Sequence, residues 1–460
     1  MRIESEQGQA AVRIAERLRA AGHPAFLVGG CVRDLLLGRV PKDFDLATAA
    51  RPDQVLALFP GAQAVGAHFG VVLVEGVEVA TFRSDREYRD GRRPESVAFE
   101  TEPRADAIRR DFTINALLLD PVSGEVLDYV GGRADLERRL VRAIGDPAAR
   151  FREDHLRLLR AIRFAARLRF TVDPATMEAI RVHRASIHLV SPERVRDELV
   201  RILTEGGARY GFELLDQSGL LAEILPEVAA MKGVAQPPEY HPEGDVWEHT
   251  LRLLEQLQEP PATLALAALL HDAGKPPTFR LADRIRFDGH AEVGARMAAE
   301  ILERLRFSRA EIETVTDLVA QHMRFLDVRR MKDSTLKRFL RRPAFDQLLE
   351  LHRLDCTAGG GFLGNYEFVS ARLAEYAASE ALQPAPLLGG NDLIALGYQP
   401  GPLFSRILHA LEDAQLDGAV ASREDALAFI QERWSNRAIG EHEEDQNAHD
   451  RQNARGGNEL

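Results

Sequence analysis

Cysteine is almost missing from this chain: Cys31 and Cys356 are the only two in 460 residues. Two thiols cannot form a disulfide framework, which excludes a stapled scaffold. Also missing is any run of about 18 apolar residues, the length a membrane-spanning helix needs. Met1 opens a polar, amphipathic segment where a signal peptide would be apolar. An excess of positive charge is absent too. Lys and Arg number 59 against 71 Asp and Glu, a formal net charge of -12, and the pI is near 5.7. Sequence-independent affinity for nucleic acid comes from Lys and Arg, so indiscriminate binding is excluded while a local basic face stays open. No internal repeat is present. With 45% hydrophobic and 28% charged residues, the chain reads as an ordinary cytoplasmic protein of about three domains at ~150 residues each.

What is present begins with Phe26-Leu27-Val28-Gly29-Gly30-Cys31-Val32-Arg33-Asp34, followed by Pro41-Lys42-Asp43-Phe44-Asp45-Leu46. An apolar run, a glycine pair, a short helical segment and two acids alternating with apolar residues predict strand, turn, helix, strand. Side chains at i and i+2 of a strand share a face, so Asp43 and Asp45 can share a divalent metal while Phe44 and Leu46 enter a core. Paired carboxylates suit Mg²⁺, commonly held by one or two carboxylates plus substrate phosphates. The Gly29-Gly30 backbone can approach a triphosphate closely, with helix-start amides beyond it.

Further along, Arg109-Arg110-Asp111-Phe112-Thr113-Ile114-Asn115 places two guanidiniums, suited to phosphate oxygens, beside an acid and an amide suited to sugar hydroxyls. Glu153-Asp154-His155-Leu156-Arg157 is expected on a helix, with Asp154 and Arg157 on one face and Glu153 beside Arg157. A carboxylate next to a guanidinium can imitate a template base. Cytosine and adenine both present an amino donor beside a ring-nitrogen acceptor, matching Asp154 and Arg157; uracil and guanine present the reverse pattern. Arg160, Arg163 and Arg167 continue a basic face expected to meet phosphates.

In this order these motifs resemble the nucleotidyltransferases of the DNA polymerase β superfamily, and more closely the class II CCA-adding tRNA nucleotidyltransferase and poly(A) polymerase family. The resemblance covers nearly the whole chain up to about residue 435. It implies an α+β fold: a polymerase β-like head (mixed sheet with helices) over 1–145, an all-helical neck over 146–230, an HD-type helical domain over 231–380, a helical C-terminal segment over 381–439 and a disordered tail over 440–460. Asp43 and Asp45 would be catalytic and hold Mg²⁺, with Glu78 as a further acid on a neighbouring strand. Gly29, Gly30, Arg33, Arg109, Arg110, Asp111, Asn115, Asp154, Arg157, Arg160 and Arg163 would bind nucleotide, and Glu153 would orient Arg157 as part of a protein template. Ser84 to Arg104, polar and Arg-rich, is expected to be a mobile loop and resembles the flexible loop that favours addition of the final adenosine. Ser191-Pro192-Glu193-Arg194-Val195-Arg196 should cap and start a structural helix without chemistry.

A second constellation follows residue 230: His249, His271-Asp272 in Leu270-His271-Asp272-Ala273-Gly274-Lys275, His290, His322 and Asp355. Such residues at the ends and interiors of apolar helices can gather a divalent transition metal. The stretch resembles an HD phosphohydrolase domain, with His249, His271, Asp272 and Asp355 as implied ligands and His290 and His322 as additional ones. The activity implied is untemplated addition of CCA to a tRNA 3′ end from CTP and ATP. The rivals are an A-adding-only enzyme, a poly(A) polymerase, a chain acting chiefly as an HD phosphohydrolase, and an RNA-binding protein with an idle head.

Overall fold

A computed structural model describes residues 3–66, 70–88, 94–239, 241–378, 382 and 384–434. The expected tail over 440–460 lies outside the described residues. The chain divides into two compact units, one of residues 1–320 with 358–360 and one of residues 321–357 with 361–460.

The first unit opens with α1 (Glu6–Ala20), whose Ser5 side chain accepts a hydrogen bond from the Gly8 amide. Ala11, Ile14, Ala15 and Leu18 recur at helical spacing and are buried. Then come β1 (Ala25–Val28), α2 (Gly30–Leu36), β2 (Asp45–Thr48), α3 (Pro52–Leu58), β3 (Gln63–Gly66), β4 (Val71–Val74), β5 (Val77–Thr81), β6 (Arg83–Tyr88) and β7 (Pro94–Phe99). After α4 (Pro103–Ile108), two short strands, β8 (Leu118–Leu119) and β9 (Val126–Leu127), complete a seven-stranded sheet of order β3-β4-β5-β2-β1-β8-β9. Only β2 and β5 pair in parallel within it, so the sheet is mixed as expected. Register sets Asp45 opposite Val28 on one side and Glu78 on the other.

The stretch expected as a mobile loop is instead largely a hairpin. β6 and β7 pair antiparallel from Arg83↔Phe99 to Tyr88↔Pro94, residues 89–93 lie outside the described residues, and α4 begins at Pro103. Arg83-Ser84-Asp85-Arg86-Glu87 carries no β-branched or aromatic residue, so local strand propensity gave no sign of the pairing.

Past α5 (Gly132–Glu137) and β10 (Leu140–Val141) the chain becomes helical: α6 (Pro147–Glu153), α7 (Arg157–Leu168), α8 (Pro174–His183), α9 (Pro192–Thr204) and α10 (Ala208–Ser218). Between α7 and α8 the short strand Thr171–Val172 pairs in parallel with β10. Helix α7 buries Leu158, Leu159, Ala161, Ile162, Ala165 and Ala166 and packs against α9 and α10. His249 follows on helix Val246–Glu255, His271 just past the end of helix Ala262–Leu270, and His290 at the start of helix His290–Arg304. Ala262–Leu270 has seven of its nine residues buried, as expected of a central helix.

The second unit is helical: Asp333–Leu340, Phe345–Ala358, Gly364–Ala378, Gly390–Ala395, Pro402–Leu416 and Arg423–Trp434. Its core gathers Leu393, Ile407, Leu411, Ala426, Ile430 and Trp434. Among the described residues no helix is long and apolar enough to cross a membrane.

Candidate active site and metal centre

Gly29 ends β1 with φ 76°, a conformation that side chains resist. A Cβ there would lie 3.2 Å from Nη1 of Arg110 and 3.9 Å from Oδ2 of Asp45, so glycine lets the turn press between the acid and the cation. Asp45 is half-buried at the first position of β2, and Asp43 is exposed two residues earlier. Phe44 and Leu46 are buried, as alternation requires. The strand begins at Asp45, so Asp43 stands in the loop that leads to it and not on the strand itself. Burial, Glu78 on the adjacent strand and Asp43 together push the Asp45 carboxyl up to about 6 against the pull of Arg110. A carboxylate cluster raised in this way is relieved by a cation, and hard oxygen donors fit Mg²⁺.

An open cleft of about 420 Å³ runs from this corner. Gly29, Gly30, Arg33, Asp45, Arg109, Arg110, Asp111, Asn115, Asp154, Arg157 and Arg160 all line it, with Arg167, Arg194 and Phe164. Its cations are held by carboxylates from behind. Asp106, fully buried, takes Arg109 on one oxygen at 2.6 Å and Arg110 on the other at 3.0 Å. Arg160 donates twice to Oδ2 of Asp111, at 2.6 and 2.8 Å, and the Asn115 amide donates to Oδ1. Burial would push Asp111 up, but Arg160 and the hydrogen bonds hold it at about 2. Arg33 is buried, donating to Asp34 at 2.8 Å and to Asn115 Oδ1 at 2.6 Å over the Phe164 ring.

The Glu153 to Arg157 segment is not one helix. α6 stops at Glu153, Asp154 is extended at φ -145°, ψ 107°, and α7 starts at Arg157. Arg157 donates to Glu153 Oε2 at 2.5 Å, to the Arg150 carbonyl at 3.0 Å and to the Arg109 carbonyl at 3.4 Å. Glu153 thus sits behind Arg157. Asp154 does not pair with Arg157; both its oxygens accept from Nη2 of Arg194, at 3.2 and 2.9 Å. Arg163 does not line the cleft. It is buried and donates to Glu198 at 2.6 Å, because its helical position turns it toward α9. Arg167 pairs with Asp34 and Glu205, each through one guanidinium nitrogen, at 3.5 and 3.7 Å.

The second constellation is built differently. His249, His271, Asp272 and His290 are buried in the first unit. The Nε2 atoms of His271, His290 and His249 stand 3.2, 3.6 and 3.9 Å from the Asp272 carboxylate. Each ring has an acceptor at Nδ1: the Ala268 carbonyl at 2.9 Å for His271, the Phe287 carbonyl at 2.9 Å for His290, and Glu243 at 2.7 Å for His249. A carbonyl can only accept, so Nδ1 of His271 and of His290 donates to it, and Nε2 is the ring atom turned to Asp272. Gly274 makes the approach possible, since a Cβ there would meet the His290 carbonyl oxygen at 2.1 Å. Lys275 Nζ lies 2.7 Å from Asp272 and 2.6 Å from Gln236. Burial opposes ionisation of Asp272, but His271 and Lys275 hold its carboxyl well below the usual range. This N/O donor set with oriented imidazoles fits a divalent transition metal. His322 and Asp355 belong to the second unit, His322 buried and Asp355 half-buried.

The Poly A polymerase head domain matches residues 25–142. The probable RNA and SrmB-binding site of polymerase A matches 169–232, and the HD domain matches 241–348. Along its length the chain is 37% identical to the CC-adding tRNA nucleotidyltransferase of Thermus thermophilus, over 88% of this chain and 93% of that one. The chain belongs to the class II CCA-adding tRNA nucleotidyltransferase family. It is also 37% identical to the A-adding tRNA nucleotidyltransferase of Deinococcus radiodurans, over 90% and 96% of the two chains. The crystal structure of the Bacillus stearothermophilus CCA-adding enzyme in complex with CTP superposes with a TM-score of 0.72 at 27% identity, covering 94% of this chain and 99% of that one. Two residues that sequence reasoning left without a role support the cleft: Asp106, buried behind the arginine pair, and Arg194, which lines it and donates to Asp154. Arg194 lay inside a stretch expected to be structural, 40 positions from its partner, and no local signal pointed to it.

Proposed function

We propose that the chain extends the 3′ end of tRNA with CCA, using CTP and ATP without a nucleic-acid template. The observation that carries this reading is one cleft in which an acid corner, Asp45 with Arg110 across Gly29, shares its lining with Asp154 and Arg157. The 3′-hydroxyl oxygen forms a bond to the α-phosphorus and gives its proton to solvent, the bond between α-phosphorus and the bridging oxygen breaks, and pyrophosphate leaves with the electron pair. Mg²⁺ held by Asp43 and Asp45 would supply charge neutralisation at the phosphates. Arg109 and Arg110, braced by Asp106, neutralise the polyphosphate, and Asp111 and Asn115 accept from and donate to sugar hydroxyls. Asp154 accepts from the exocyclic amine of cytosine or adenine while Arg157, braced by Glu153, donates to the ring nitrogen. Uracil or guanine would leave both groups unpaired at roughly 1–3 kcal/mol each.

We assign a second activity to the HD part, hydrolysis of phosphoesters such as cyclic or terminal phosphates, supported by the three Nε2 atoms turned to Asp272. Domain limits of 1–145, 146–230, 231–380 and 381–439 follow from the change of motif along the chain. Full-length relatives that add CC and A at equal identity favour a partial adder as the second reading. The deciding experiment supplies tRNA transcripts ending before the first C, after CC and after CCA with CTP and ATP, separately and together. Extension of the bare end to CCA, then arrest, is expected. Addition of A only after CC, of CC only, or of an unlimited A ladder would reassign the chain to an A-adding enzyme, a CC-adding enzyme or a poly(A) polymerase.

A further inference from the structure

Outside the histidine and aspartate motif, one carboxylate stands where nothing in the HD pattern requires it. Glu243 precedes the helix that carries His249, and its side chain is buried. One oxygen, Oε1, accepts from Nδ1 of His249 at 2.7 Å and from Nδ1 of His241 at 2.9 Å. The two rings meet edge to face, centroids 4.9 Å apart. The other oxygen, Oε2, is buried without a hydrogen-bond partner among the described residues. Leaving a carboxylate oxygen buried and unpaired costs free energy, so packing alone does not account for an acid here. A shape-matched amide or an apolar side chain would fold at lower cost.

The other two histidines of the centre rest Nδ1 on backbone carbonyls. At Nδ1, His249 instead rests on an ionisable side chain. A carboxylate behind an imidazole fixes the proton on Nδ1, holds the ring plane and raises the basicity of Nε2 toward a metal. We propose that Glu243 is the positioning residue of the HD metal centre: through His249 it sets the affinity of the site for a divalent transition metal, with His241 as the second imidazole on the same oxygen. The inference rests on the reading that the HD part binds such a metal through His249, His271 and Asp272. The bonded oxygen of Glu243 faces the Nδ1 edge of His249, while Nε2 faces Asp272, so the role assigned to Glu243 acts through the ring.

The test uses the full chain carrying Asp43→Ala and Asp45→Ala, so that the head carboxylates do not compete, stripped with chelator and titrated with Co²⁺. Visible absorption reports imidazole-bound Co²⁺ directly, without any activity measurement. Glu243→Gln keeps the shape and removes the charge. It is expected to weaken Co²⁺ binding about 10–100-fold, to alter the absorption band, and to leave the melting temperature of the metal-free protein no lower than that of its parent. Glu243→Asp should recover part of the affinity. Equal Co²⁺ affinity and spectrum for Glu243→Gln and its parent would overturn the role of Glu243. A parent that binds no Co²⁺ would instead remove the metal reading on which it rests. Should Glu243→Gln fail to melt cooperatively, the same titration on Glu243→Asp decides, weakened binding supporting the inference and unchanged binding overturning it.

Discussion

The nucleotide cleft and the HD centre hold their functional groups by opposite means. In the cleft nearly every cation is tied to a carboxylate: Arg109 and Arg110 to Asp106, Arg157 to Glu153, Arg160 to Asp111, Arg194 to Asp154. These pairs are partly exposed, and the guanidiniums keep further donors for a polyanion that arrives with its own charge. In the HD centre the imidazoles are buried, and two of them donate through Nδ1 to neutral backbone carbonyls. That arrangement turns three ring Nε2 atoms toward one carboxylate, a donor set that suits a small cation. On the proposed reading, a cleft of braced ion pairs would accommodate different bases and a buried imidazole cluster would take one ion.

Breaking this comparison gives the largest expected effect. Asp45→Ala should lower nucleotide incorporation by roughly 10²–10³-fold or more while hydrolysis of a 2′,3′-cyclic phosphate persists, and Asp272→Ala should do the reverse. Radiolabelled incorporation and phosphate release, measured on the same preparations, check both. A joint loss from either substitution would mean the two regions do not work separately.

The next effect concerns Arg163. As half of a buried pair with Glu198 it should matter to stability and not to nucleotide affinity. Arg163→Ala is expected to cost about 3–5 kcal/mol by urea unfolding, with little change in KM for CTP at a temperature where it stays folded. A raised KM with unchanged stability would restore Arg163 to the basic face.

Proton competition sharpens the acid corner. With Asp45 pushed up to about 6, a cation must displace a proton below that pH. Incorporation at limiting Mg²⁺ should therefore fall about tenfold per pH unit below about 6, and saturating Mg²⁺ should move the fall to lower pH. The smallest effect is at Asp111. Its carboxyl is depressed in the fold to about 2, so it contributes stability above its unfolded value near 4 and loses it as pH falls through about 2. Asp111→Asn should cost on the order of 2 kcal/mol at neutral pH, measured by urea midpoint, and that cost should shrink toward pH 2.

Local pattern made much of this legible. Alternation around Phe44 and Leu46, the glycine at φ 76° and the apolar stretch before His271 each depend on neighbours within a few positions. The mixed sheet and the helical stretches beyond it were readable for the same reason. What was hidden depends on partners far along the chain. Glu198 lies 35 positions from Arg163 and Arg194 lies 40 from Asp154, so no spacing rule distinguishes a cleft arginine from a buried one. The break after Glu153 was hidden because Asp154, a helix-compatible residue, leaves the helix only when tertiary pairing draws it out. Glu243 was passed over because its neighbours His241 and His249 stand on a loop and a helix that periodicity does not join.

The central claim is that protein side chains, Asp154 and Arg157, choose the base. The most direct measurement is single-turnover incorporation of each of the four nucleoside triphosphates at a tRNA end, for the native chain and for Arg157→Ala. The account predicts that the native chain takes CTP and ATP, and that Arg157→Ala loses roughly 10–100-fold of its preference over UTP and GTP, the equivalent of one unpaired buried contact. Selectivity that is unchanged in Arg157→Ala, with incorporation still measurable, would contradict it.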